Sequence, residues 1–153
     1  MTLETVAILT GDIVGSRKIG AEGTAAVFAA LGEALSGVEA WSGGPARLTR
    51  SRGDGWQAAV PDGARALRVA LCVRAYLRAR DLPQTRMGIG LGGVETLGSA
   101  DLSDGDGPAF YAAAETLEGM GPFVAGRMLI YHYSVHQMPA DDHLCMMFIE
   151  VGV

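Results

Sequence analysis

Two aspartates beside glycines are the residues whose types and spacing point most directly to chemistry. Asp12 lies in AILTGDIVGSRK, where an apolar strand pattern ends in a Gly-Asp and then a Gly-Ser turn. Asp54 lies in RGDGWQAAV, where Gly-Asp-Gly between strand-like residues predicts a tight hairpin turn. Two carboxylates at neighbouring strand ends are hard oxygen ligands, and the adjacent glycines leave room for phosphate oxygens. The pattern predicts a metal-triphosphate site.

The residues after Asp12 extend this prediction. Gly15, Ser16 and Arg17 can offer backbone N–H groups and a cation to phosphates where a strand turns into a helix. An ordinary turn explains the same residues, and a turn-forming role alone explains Asp54. Asp12 can also be a capping residue at a strand end. The local patterns leave these alternatives open.

The elements that must position the two aspartates follow from hydrophobic periodicity and turn signals. The predicted elements are a strand at 5–14, a helix at 22–40, strands at 46–51 and 55–60, a helix at 64–80, a strand at 86–95, a short helix at 109–117, and strands at 128–135 and 144–151. The apolar face of the first helix is predicted at Val27, Leu31, Leu35 and Val38. This order predicts an α+β fold with a ferredoxin-like βαββαβ core, both helices on one face, and extra C-terminal elements. In that topology the first strand pairs beside the hairpin, so Asp12 and Asp54 share one edge.

The strand at 86–95, RMGIGLGGVE, alternates bulky residues with glycine. One face of the strand is therefore apolar, and on the other face the glycines leave space for another group to approach the backbone closely. This alternation predicts a strand beneath a ligand or beside a partner. Trp56 and Phe110 are predicted as core or dimer contacts rather than base-stacking platforms.

The composition bounds the functional classes. The chain has 153 residues, 49% apolar and 19% charged, which predicts a single domain over residues 1–153. It contains neither an apolar run of membrane-spanning length nor a signal-peptide pattern, so we expect a soluble, cytoplasmic protein without membrane binding. A net charge of −5 gives no electrostatic case for nucleic acid. His132 and His136 on a strand lack the spacing of a zinc site.

Four stretches, in chain order, are similar to those of SatD-like bacterial proteins. They are DIVGSR at 12–17, GDGWQ at 53–57, GIG at 88–90 and GPAFY at 107–111. The same segments resemble the class III nucleotidyl cyclase catalytic domain over roughly three quarters of the chain, and the SatD-like group looks like a divergent relative of it.

The resemblance implies which residues would bind a metal ion and a nucleotide. Mg²⁺ or Mn²⁺ would be bound by Asp12, Ile13 and Asp54. A purine nucleoside triphosphate would be bound by Arg50 and Asp104, in a set that the turn residues Gly15, Ser16 and Arg17 complete. Within that set, Arg50 and Asp104 match the residues that recognise the purine. The resemblance also implies a homodimer, for which we predict the glycine-rich face of 86–95 and the late strands as the contact.

Three departures from the cyclase pattern bear on activity. Tyr111 and Glu115 stand where cyclases have an Asn and an Arg that steady the transferring phosphoryl group, and Ser16 stands where they have an aromatic residue. A carboxylate cannot offset developing negative charge, and loss of one such donor typically costs on the order of 100-fold to 1,000-fold in rate. The sequence therefore predicts a metal- and nucleotide-binding domain with little or no cyclase activity. The alternatives are an active nucleotidyl cyclase or other two-metal phosphoryl-transfer enzyme, and a non-catalytic interaction domain.

Overall fold

The computed structural model describes residues 5–51, 53–97, 101–119, 129–135 and 144–149. The elements are β1 (Val6–Ile13), α1 (Ser16–Val38), β2 (Arg47–Arg50), β3 (Gly55–Val60), α2 (Ala66–Ala79), β4 (Thr85–Gly92), α3 (Pro108–Gly119), β5 (Leu129–Val135) and β6 (Leu144–Ile149). Short 3-10 helices lie at Gly63–Arg65 and Leu102–Asp104. Each predicted element is present. The largest shift is at α1, which begins at Ser16 rather than at residue 22.

The strands form one sheet in the order β2-β3-β1-β4-β5-β6. The first four are antiparallel neighbours, and β5 then joins parallel to β4. The strand β1 therefore lies between β3 and β4, which is the ferredoxin-like arrangement predicted from the element order. The α+β, cyclase-like core prediction is confirmed.

One face of the sheet packs against α1 and α2. Leu9 and Ile13 of β1 point to this face, as alternation along a strand requires. The four predicted apolar positions of α1 are all buried in the same core: Val27, Leu31, Leu35 and Val38. Trp56 joins this core with no exposed surface, which confirms its predicted core role.

The opposite face of the sheet is covered by α3. A Cβ atom on Gly90 would overlap the carbonyl oxygen of Ala109, and one on Gly88 would lie 2.8 Å from the backbone nitrogen of Leu117. The glycines of β4 therefore admit the backbone of α3. Phe110 of this helix is 8% exposed and belongs to the core on this side.

This packing corrects two predictions. The glycine-rich face of β4 lies under a helix of the same chain, so the expected ligand or partner over that face is wrong. The predicted dimer contact through it is wrong for the same reason. Alternating glycines show that something approaches closely, but they do not say which element does so. His136, one of the two histidines considered for a zinc site, lies outside the described residues. None of the described helices has the length and apolarity needed to cross a membrane.

Gly90→Ala tests the close approach of α3 to β4. We expect the free energy of unfolding to fall by about 1–3 kcal/mol, because the added methyl group meets helix backbone that cannot move aside. Urea denaturation measures the change. The matched control is Gly37→Ala in α1, where a Cβ atom has open space and stability should hold or rise by up to about 1 kcal/mol. Equal stability of the two variants would contradict the packing.

Candidate functional site

The end of β1 is fixed on both sides by backbone hydrogen bonds. Ile13 N donates to the carbonyl oxygen of Asp54 at 3.2 Å, and Val14 N donates to that of Gln84 at 2.8 Å. The hairpin between β2 and β3 turns at Gly53, whose φ of 69° is in the left-handed region that glycine favours. The two aspartates predicted to meet at one edge therefore do so.

A buried hydrogen-bond chain fixes the backbone of Asp12. The indole of Trp56 packs over Gly11, where a Cβ atom would lie 2.6 Å from the ring. Its Nε1 donates to Thr85 Oγ1 at 2.8 Å, and Thr85 Oγ1 donates to the carbonyl oxygen of Asp12 at 2.7 Å. Trp56 and Thr85 are both fully buried. Gly11 is therefore needed beside Asp12 because a larger residue would displace the indole.

A cleft of about 420 Å³ opens at this edge, which we call the aspartate cleft. The residues that line it are Asp12, Ile13, Val14, Gly15, Ser16, Arg17, Lys18, Asp54 and Arg86. A neighbouring pocket of about 430 Å³, the Arg50 pocket, shares Ser16, Arg17 and Asp54 with it and adds Ala21, Thr24, Arg50 and Gly53. Six of the eight residues predicted to bind metal or nucleotide therefore lie together in the cleft.

The turn into α1 brings two cations to the cleft. Gly15 precedes the helix with a φ of 70°, and Gly20 interrupts it with a φ of 68°. Arg17 and Lys18 lie in the helical turn between these glycines, and both side chains are exposed. Ser16 Oγ donates to Asp54 Oδ2 at 2.6 Å, which ties this turn to the hairpin. The break at Gly20 explains why periodicity alone placed the start of α1 too late.

Asp12 is held by an arginine that sequence reasoning did not include. Arg86 lies directly opposite Asp12 in the β1–β4 ladder. Its Nε donates to Asp12 Oδ1 at 2.8 Å, and its Nη2 donates to Asp12 Oδ2. The hydrogen bond to Asp12 raises the pKa of Arg86 above its ordinary value, and the charges of Asp12 and Asp54 add to this against the opposing effect of burial. The paired carboxylate therefore favours the charged form, which arginine keeps in proteins.

This pairing bears on the predicted metal ion. Both carboxylate oxygens of Asp12 accept hydrogen bonds from Arg86, and one oxygen of Asp54 accepts from Ser16. In the part of the chain that the structure describes, no three His, Cys, Asp or Glu side chains gather as a metal-binding group. A divalent ion at Asp12 would also face a guanidinium at close range. The donor set, as arranged, does not fit a divalent metal.

The two residues predicted to recognise a purine are not brought together. The Arg50 guanidinium lies over the Phe28 ring of α1, 4.5 Å from its centroid, and donates to the carbonyl oxygen of Gly53. Asp104 ends the 3-10 helix whose Leu102 N donates to Thr49 Oγ1. Because adjacent strand residues point to opposite faces, Arg50 and the helix containing Asp104 lie on opposite sides of β2.

Tyr111 and Glu115 lie on α3 and are not among the described residues that line the aspartate cleft. Tyr111 is 57% exposed and its hydroxyl donates to Asp106 Oδ1 at 2.5 Å. This hydrogen bond raises the pKa of Tyr111. Glu115 is also exposed. Neither side chain therefore supplies a phosphate-binding group within this arrangement.

The same arrangement of sheet and helices is found in solved structures of adenylyl and guanylyl cyclases. The adenylate/guanylate cyclase/hydrolase from Silicibacter pomeroyi is 26% identical, with a TM-score of 0.56 over 77% of this chain and 70% of that chain. The fold is that of a nucleotidyl cyclase domain. No protein-family model and no curated protein matches the sequence. The SatD-like resemblance stays a prediction.

Two further structures share the nucleotidyl cyclase fold. The guanylate cyclase domain of RhGC from Catenaria anguillulae, solved in complex with GTP, is 19% identical, with a TM-score of 0.58 over 86% of this chain and 79% of that chain. The monomeric guanylyl cyclase domain of RhoGC from Blastocladiella emersonii is 19% identical, with a TM-score of 0.60 over 86% of this chain and 81% of that chain. A non-canonical dimeric form of that RhoGC domain also matches. At these identities the likeness establishes the fold.

Thr85→Val tests the buried chain that holds Asp12. Valine keeps the shape of threonine but leaves Trp56 Nε1 without its acceptor, so we expect the free energy of unfolding to fall by about 1–3 kcal/mol. Thr85→Ser retains the hydroxyl, so its free energy of unfolding should fall by less. Urea denaturation followed by tryptophan fluorescence compares the two variants. If serine were as damaging as valine, the hydroxyl would not be the stabilising group.

Proposed function

We propose that this nucleotidyl-cyclase-like domain binds a purine nucleoside triphosphate in the aspartate cleft and cyclises it little or not at all. The observation that supports this most is the meeting of cations, aspartates and a glycine turn in one cleft. Arg17, Lys18 and Arg86 face Asp12 and Asp54 there, so three cationic side chains meet two anionic ones. The chain as a whole carries a net charge of −5. A local excess of positive charge in an acidic protein favours an anionic ligand.

The position of the cations favours phosphate groups in particular. Arg17 and Lys18 belong to the single helical turn that precedes the break at Gly20, and both line the cleft with exposed side chains that can pair with phosphate oxygens. Gly15 turns the chain here and its position carries no side chain to obstruct a ligand. The likeness to a cyclase domain solved with GTP supports a nucleoside triphosphate as the source of those phosphates.

Weak cyclisation follows from what is missing around the phosphates. In the positions that match the phosphoryl-stabilising Asn and Arg of cyclases, Tyr111 bonds to Asp106 and Glu115 adds a negative charge. Neither residue is among the described residues that line the aspartate cleft, so neither stabilises the charge that develops on a transferring phosphoryl group there. An active cyclase, another phosphoryl-transfer enzyme and a pure interaction domain remain the competing functions, and each predicts a different product or none.

The resemblance also predicts a bound metal ion and a homodimer, and neither is part of this proposal. The Mg²⁺ or Mn²⁺ ion predicted at Asp12, Ile13 and Asp54 would require Arg86 to leave Asp12. The homodimer would require a contact other than the face of β4 that α3 covers. Size-exclusion chromatography over a range of concentrations tests the homodimer, and a monomer at every concentration would contradict it.

Calorimetric titration of ATP and GTP, with Mg²⁺ and separately with EDTA, tests the nucleotide site. We expect saturable binding by the wild type. In the double variant Arg17→Ala/Lys18→Ala we expect affinity to fall about tenfold or more, because charge-assisted contacts to phosphate are lost. Arg78→Ala, which removes an exposed cation from α2, is the matched control and should bind like the wild type.

Product analysis on the same samples separates the competing functions. Unchanged nucleotide supports the proposal. Cyclic nucleotide or released phosphate would establish an enzyme in its place. Absence of binding by either triphosphate, under both metal conditions, would overturn the nucleotide-binding function and favour the interaction domain.

A further inference from the structure

We infer that the Arg86 guanidinium takes the place of a divalent metal at the aspartate pair, so that the aspartate cleft excludes such a metal and binds its polyphosphate ligand without one. The ligand in this inference rests on the proposed function. The exclusion of metal rests only on the structure of the chain itself, and it is testable without any nucleotide.

The sheet holds the guanidinium in this position. Asp12 and Arg86 are direct partners in the ladder between β1 and β4. The Thr85 hydroxyl lies 2.7 Å from the carbonyl oxygen of Asp12 and 2.9 Å from that of Arg86, so its one hydrogen holds the backbone beside the pair. Their side chains are 25% and 24% exposed. The planar fork of arginine matches the two oxygens of a carboxylate. The pair is therefore part of the folded sheet, unlike an ion pair between two mobile surface side chains.

The charges around Asp54 strengthen the exclusion. Arg86 also interacts electrostatically with Asp54, so one guanidinium offsets negative charge on both aspartates. A metal ion would have to remove Arg86 from both oxygens of Asp12 and would then lie beside the displaced cation. Asp54 Oδ2 is held by Ser16 Oγ at 2.6 Å. The described residues offer no third acidic, His or Cys side chain that would compensate for this competition.

An anionic ligand needs no metal in such a cleft. Metal ions commonly offset the charge of triphosphates in sites that are otherwise acidic. Here Arg86 already offsets the aspartates, while Arg17 and Lys18 lie at the start of α1. The local positive charge that a metal would supply is therefore present in the side chains themselves.

Electron paramagnetic resonance of Mn²⁺ titrated into the protein, without nucleotide, tests the exclusion. We expect the wild type to bind Mn²⁺ only in the millimolar range. Arg86→Met should bind one Mn²⁺ about tenfold more tightly or better, because the aspartate pair loses its competing cation. Adding Asp12→Asn to this variant should abolish the gain. Arg80→Met, which removes an arginine paired with Glu33 on the α1–α2 side, is the matched control and should behave like the wild type.

Micromolar Mn²⁺ binding by the wild type would overturn the inference, and so would a folded Arg86→Met that gains no affinity. If Arg86→Met fails to fold, Arg86→Gln replaces it, since glutamine removes the charge but can still hydrogen-bond to Asp12. A gain of several-fold is then expected, and no gain overturns the inference.

The calorimetric comparison of Mg²⁺ and EDTA tests whether the nucleotide binds without a divalent metal. We expect the wild-type affinity for ATP or GTP to change by less than about threefold between the two conditions. A loss of about tenfold or more in EDTA would overturn metal independence. Failure of nucleotide binding under both conditions would instead contradict the proposed function and would leave the Mn²⁺ result intact.

Discussion

The antiparallel register of β1 between β3 and β4 is the constraint on which the candidate site depends. It places Asp12 opposite Gly55 on one side and opposite Arg86 on the other. A slip of one residue would turn Asp12 toward α1 and α2 and into the apolar core. Burial of Leu9 and Ile13 on that face opposes the slip, because the same shift would move them from the core under α1 and α2 to the face that the backbone of α3 approaches closely. The hydrophobic pattern of one strand thus determines which charges meet at its end.

That register also explains how charged and glycine residues share one face of β4. Gly88 and Gly90 lie under α3, where only backbone-to-backbone approach is possible. Arg86 comes next on the same face, at the end of the sheet where Asp12 lies. Its side chain is about three-quarters covered, and the carboxylate of Asp12 offsets the cost of burying the charge. The transition from packed glycines to an ion pair marks the boundary between the core and the cleft.

Much of this arrangement could be predicted from the sequence, and the rest could not for identifiable reasons. Alternation and turn residues are local signals, so they gave the strands and the meeting of Asp12 with Asp54. The partner of Asp12 lies 74 residues away, and its identity depends on a register that no local pattern encodes. The cover over Gly88 and Gly90 is likewise a long-range contact. Arg50 and Asp104 were matched by position along the chain, but the alternation of β2 separates them.

The shared fold therefore leaves the chemistry of the cleft undetermined, since chemistry depends on the charges that a fold presents. Two aspartates at neighbouring strand ends form a cation site only while their oxygens remain available to an ion from solution. Once a guanidinium from β4 occupies one of them, the same pair stabilises the protein's own positive charge and orients it toward the cleft. Asp12 and Asp54 are thus compatible with a site in which the aspartates position a cation of the protein itself. The decisive residue is the one across the ladder from the first aspartate.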